Sequence, residues 1–167
     1  ERMASLASDN LNRAMNALVT LDEDDINEVN AVEENINFLN KEITNYLVKI
    51  NQSTLPIEDL KSLGGLFHVV NDIERIGDHA KNIADSAVLR KERNIKFSNE
   101  SFNELRDMME LINENVHLCI EVFAHHKEEH LSKIEELEDK VDIMERQSQQ
   151  AHIDRLKRNE CTPDAGM

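Results

Sequence analysis

Apolar side chains recur along this chain at helical spacing. Ala4, Ala7, Leu11, Ala14, Leu18 and Leu21 follow a 3-4-3-4-3 rhythm that lines one side of a helix. The polar run Asp22-Glu23-Asp24-Asp25 interrupts it, and Asp24 or Asp25 is expected to accept hydrogen bonds from the open amides of the next helix. That second stripe comprises Val29, Val32, Ile36, Leu39, Ile43, Tyr46 and Ile50, a sustained bundle seam. The segment Asn51 to Pro56 reads as a turn, with Ser53 or Thr54 as cap and Pro56 near the first helical turn, where a missing N–H costs little. The third helix carries one stripe at Leu66, Val69, Ile73, Ile76, Ala80, Ile83 and Ala87. A shorter stripe at Leu60, Leu63, Phe67 and Val70 suits packing against a second neighbour. The charged run Arg90 to Lys96 reads as a connector, and Ser98 as the cap of a fourth helix.

Shifting the chain by 105 positions lays Ala4 on Met109, Ala7 on Ile112, Leu11 on Val116, Ala14 on Cys119 and Leu18 on Phe123 without a gap. The same shift carries Val29 to Ile134, Val32 to Leu137, Ile36 to Val141, Leu39 to Met144 and Glu33 to Glu138. Thr54-Leu55-Pro56-Ile57 has a counterpart in Cys161-Thr162-Pro163-Asp164. The expectation is an all-α chain of five long helices, arranged as tandem antiparallel three-helix repeats: 1–89, a connector at 90–97, and 98–167 lacking its third helix. Two helices of an incomplete trio leave their stripes partly wet, each large side chain forfeiting roughly 1.5–3 kcal/mol of burial. Such a surface is expected to drive homo-oligomer formation through the second repeat.

Composition narrows the function. A net charge of −15 repels phosphate backbones, so nucleic acid is excluded as a partner. Apolar residues at 40 % allow a real core, and 4 Gly with 2 Pro leave little turn chemistry for sheets. No stretch reaches the roughly 18 apolar residues of a spanning helix, and the two cysteines, without zinc spacing, fit a reducing cytosol.

Among the acids, two pairs stand out. Glu74 and Asp78 lie at i and i+4, in line with Leu60, Leu63, Phe67 and Val70, so an apolar stripe turns acidic in its second half. Glu138 and Asp142 repeat the spacing on helix five, and Glu33 with Asn37 takes the matching places on helix two. Two carboxylates one turn apart repel each other, which suits a nearby cation or basic partner. Acids from adjacent helices can converge on one metal, as bundles commonly arrange. A solvated helix flank is the plain alternative for each pair. His79 points well away from Glu74, His125-His126 suits a helix C-terminus, and Gly64-Gly65 lacks the following Lys of a phosphate loop.

The segment Asp72-Ile73-Glu74-Arg75-Ile76-Gly77-Asp78-His79-Ala80-Lys81-Asn82-Ile83-Ala84-Asp85 is similar to the signature helix of the PhoU family. That resemblance implies a PhoU-like fold of two three-helix repeats, each with an E/D-x-x-x-D motif, and multinuclear iron or zinc, or another divalent cation, on the acidic faces. The ligand set it implies here is Glu33, Asn37, Glu74, Asp78, Glu138 and Asp142, with Asn37 standing where a carboxylate is expected. Losing that anion and a sixth helix implies little or no metal on this chain. Asn45-Tyr46-Leu47, Phe97-Ser98-Asn99-Glu100 and Arg2-Met3-Ala4 look more like the C-terminal domain of bacterial sodium/phosphate cotransporters. The implied role is a non-enzymatic regulatory domain on the cytoplasmic side of the membrane. Its implied partners are a membrane transporter domain or phosphate-signalling proteins. The alternatives are a freestanding phosphate-uptake regulator and a metal-dependent enzyme acting on phosphate compounds. Against the enzyme, no general acid or base converges beside the acids.

Overall fold

The polar break after Leu21 is built from two devices. Leu21 adopts a left-handed conformation (φ 60°), and its amide donates to the Ala17 carbonyl, ending α1 (Arg2–Thr20). Asp22, rather than Asp24 or Asp25, then caps α2 (Glu23–Asn51), its carboxylate accepting from the amides of Asp24 and Asp25. An extended residue one position before the helix can turn its oxygen back onto the open amides, whereas Asp24 and Asp25 already lie inside the first turn. Asp25 instead accepts from Arg13 at 3.1 Å and Asn16 at 2.8 Å, tying the end of α1 to the start of α2.

The computed structural model describes residues 1–53 and 56–166, and no strand occurs among them. Thr54, offered as a cap, lies outside the described residues, while Ser53 Oγ donates to the Ile50 carbonyl and closes α2. Three further long helices follow, α3 (Ile57–Glu92), α4 (Asn99–His125) and α5 (Leu131–Lys157). Short 3-10 turns at Glu128–His130 and Pro163–Gly166 complete the order. Ser98 caps α4 by accepting from the Ser101 amide. The connector is shorter than charge implied, because Arg90, Lys91 and Glu92 continue α3. Charged residues are good helix formers on an exposed face, so a charge run alone does not stop a helix.

The duplication is visible in the backbone. His126, 105 residues beyond Leu21, is also left-handed (φ 54°) and ends α4 as Leu21 ends α1. The helical residues resume at Glu128, 105 beyond Glu23.

The chain divides into two compact units, Glu1–Ala87 and Val88–Met167. In the first, α1 and α2 pack together, and α3 comes against α2 at Gly77. Ala7, Ala14, Ala17, Val29, Ile36, Ala80, Ala84 and Ala87 have no measurable exposure. Gly77 shows how close α3 comes, since a β-carbon there would lie 3.2 Å from two Ile36 side-chain carbons. Tyr46, read as a seam residue, faces solvent and Leu47 is buried instead. Over a long helix the 3.6-residue period drifts away from a 3.5-residue repeat, so a stripe extrapolated by heptads loses register near its end.

In the second unit α4 packs along α5, and Leu137 is the sole fully buried apolar side chain among its described residues. Its other anchors are polar or aromatic. The Arg90 guanidinium carbon lies 4.4 Å from the Phe97 ring centre and 5.2 Å from that of Phe102, and the two rings meet edge to face. Arg155 grips Glu104 through two hydrogen bonds of 2.7 and 2.9 Å.

Candidate functional site

In the first unit, α2 and α3 bring three of the four expected residues into one electrostatic neighbourhood. Glu33 lies one turn before Ile36, the residue that Gly77 meets, and it is only 6 % exposed. A buried carboxylate needs a partner, and Asn37 supplies it by donating from Nδ2 to Glu33 Oε1 at 2.6 Å. The amide standing where a carboxylate was expected serves as a donor to its neighbour.

Across the helix interface, Glu74 is half-buried. Burial first, then the charges of Asp78 and Glu33, push its carboxyl pKa up, with Arg75 pulling the other way. Glu33 on α2 thus lies within electrostatic reach of Glu74 on α3. Asp78, one turn further on, is exposed, as is His79. Among the described residues no three His, Cys, Asp or Glu side chains converge closely enough to hold one ion. The donor set of three carboxylates and an amide oxygen suits a hard cation, but the arrangement does not form a closed site.

The equivalent acids of the second unit are further from one. Glu138 and Asp142 are exposed on α5, and among the described residues no third His, Cys, Asp or Glu joins them to hold an ion. What Glu138 does reach is Cys119, whose thiol is pushed up by burial of part of its side chain and secondly by that carboxylate. His125 ends α4 with Nε2 3.7 Å from Glu121, which also pairs with Lys127.

The arrangement that sequence reading missed lies at the other end of this unit. Glu104 and Arg155, 51 residues apart, border a cavity of about 290 Å³ together with Phe97, Met108, Gln149 and His152. One signal did point there. Arg155 stands 105 residues beyond Ile50, so the repeat puts a cation where its first copy carries an apolar seam residue. A charge in an apolar stripe calls for a buried partner.

Comparison with known proteins gives a consistent result. A family model described as the PhoU domain matches residues 1–87 and 105–166. A protein of Thermotoga maritima named as a phosphate-specific transport system accessory protein PhoU homolog is 27 % identical over 99 % of this chain and 71 % of its own length. A homolog so named from Aquifex aeolicus is 30 % identical over 62 % of this chain and 51 % of its own length. The crystal structure of PhoU from Pseudomonas aeruginosa superposes with a TM-score of 0.88, covering 95 % of this chain and 76 % of that one at 22 % identity. That likeness establishes the helical-bundle fold.

Proposed function

The chain belongs to the PhoU domain family, and from that premise we propose that it is a non-enzymatic accessory module that regulates phosphate transport. The observation carrying this reading is the family match over both halves, in a chain whose two-helix plan is itself repeated. The relatives' names, accessory proteins of phosphate-specific transport systems, favour a freestanding regulator over the C-terminal domain of a sodium/phosphate cotransporter. No helix among the described residues is long and apolar enough to cross a membrane. In this reading the chain works on the cytoplasmic side, beside a transporter or phosphate-signalling protein.

Two finer elements belong to the same proposal. The α2–α3 face of Glu33, Asn37, Glu74 and Asp78 takes a divalent cation weakly, and Glu138 with Asp142 does so only when a further helix covers α5. The half-wet seam of the second unit supports association with another copy. Phosphate uptake in cells lacking and then regaining this chain tests the main reading. The regained chain should change uptake or its response to external phosphate. Unchanged transport would overturn it. Hydrolysis of a generic phosphate ester with added manganese, lost in Glu74→Ala, would favour an enzyme instead. For the cation, manganese titration should give weak binding that disappears in Glu74→Gln. For association, light scattering should give more than one copy per particle; a monomer at high concentration that binds no hydrophobic dye would remove that element.

A further inference from the structure

The end of α5 and the segment behind it bring together groups that the acidic face does not use. Cys161, a half-buried free thiol, has its sulfur 3.6 Å from His152 Nδ1 and 3.8 Å from the His152 carbonyl oxygen. Arg155 is 4 % exposed and spends its two terminal nitrogens on Glu104, while its buried Nε has no partner among the described residues. Hydrogen bonding to Glu104 pushes the Arg155 pKa up against its burial. His152 and Arg155 both line the cavity described above. A sulfur nucleophile and a proton acceptor thus touch, and the proton acceptor borders an adjoining space, the pairing by which a base activates a thiol for attack.

The geometry points to Cys161 as a modification site that forms a mixed disulfide with a low-molecular-weight disulfide, His152 acting as proton acceptor. With its own proton on Nε2, His152 takes the thiol proton at Nδ1. The thiolate attacks one sulfur of the incoming disulfide, a bond forms from Cys161 Sγ to that sulfur, and the disulfide's own S–S bond breaks. The departing thiolate carries the electron pair and accepts the proton from the imidazolium. Cys161 is oxidised, half of the small disulfide is reduced to free thiol, and no other oxidant enters. His152, which the sulfur touches, and Ala165, from the segment just beyond Cys161, both border the cavity.

Cys119 is the internal reference. It counts as exposed, yet partial burial of its side chain and secondly the Glu138 carboxylate disfavour a thiolate, and its sulfur lies 3.9 Å from the Asn115 amide oxygen. If exposure governed reactivity, Cys119 would react first. The experiment treats the whole chain with oxidised glutathione at neutral pH and follows each cysteine by peptide mass mapping. Cys161 should be modified about 10-fold faster than Cys119, and His152→Asn should slow Cys161 by a similar factor while leaving Cys119 unchanged. Equal rates at the two cysteines, or faster reaction at Cys119, would overturn the inference. So would an unaltered Cys161 rate in a His152→Asn protein with an intact helical spectrum. Should that variant lose its helical spectrum, the comparison of both thiols in the unmutated chain decides alone.

Discussion

The two units repeat one helical plan and differ in what that plan encloses. In Glu1–Ala87 α3 comes against α2 where Gly77 meets Ile36, and Val29, Ile36 and Ala14 lose all contact with water. In Val88–Met167 the corresponding seam runs through Ile134, Val141 and Cys119. Ile134 and Val141 are only half-buried, Cys119 is exposed, and α4 has no buried residue at all. The side chains are of the same kind, so the difference is geometric. Two helices share a line of contact, and a third wall is needed before that line becomes an enclosed core. The second unit compensates with directional contacts, the Arg155 grip on Glu104 and Arg90 against two phenylalanine rings.

This contrast can be broken experimentally. Ile36→Ala opens a cavity in the enclosed core and should cost ~2–5 kcal/mol in urea unfolding. Its repeat counterpart Val141→Ala, half-wet already, should cost about 1 kcal/mol or less. Equal losses would show the second seam to be as well enclosed as the first. Arg155→Ala leaves Glu104 without its two charge-assisted bonds and should cost ~1.5–3 kcal/mol. Arg155→Ile with Glu104→Leu, which restores the apolar character of the first copy, should recover much of that loss by the same measurement.

Smaller effects sharpen the description of the first unit. Gly77→Ala gains helix propensity but presses a β-carbon onto Ile36, for a net cost of about 1 kcal/mol. Gly64→Ala, whose new carbon meets nothing within 4 Å, should instead gain up to about 1 kcal/mol. Thermal melts of the two variants should therefore move in opposite directions. Glu74→Gln has the smallest expected effect. Because the folded-state pKa of Glu74 is raised, the unmodified protein loses stability as pH climbs through that titration. Relieving one repulsive i,i+4 pair should stabilise the variant by about 0.2–0.5 kcal/mol near neutral pH. The gain should fade below about pH 4, where the carboxyl is protonated in both states. A stability gap that persists in acid would mean that Glu74 acts through packing rather than charge.

Helix existence, order and duplication were legible from residues close in sequence. The stripe of α1, the break after Leu21 and the cap at Ser98 are local events, governed by backbone hydrogen bonding and by which side chains recur every three or four positions. The helix with Glu74 and Asp78 was legible too, and the family model matches across it. What local pattern does not encode is rotation and approach. That Glu33 is buried beneath α3 while Glu138 is exposed, that Asn37 turns to donate to Glu33, and that Tyr46 faces outward follow from how helices are set against one another.

The same holds over longer separations. Sequence by itself determined an acidic all-helical chain with a two-fold internal pattern and paired acids one turn apart, because each of these properties is written in spacing along one helix. Only the tertiary structure decided that Arg155 meets Glu104 across 51 residues, that Gly77 admits Ile36, and that Cys161 comes to rest beside His152. Such meetings depend on where separate helices cross and where a turn returns the chain. Crossing geometry is set by the packing of whole faces, so no short window of residues contains it.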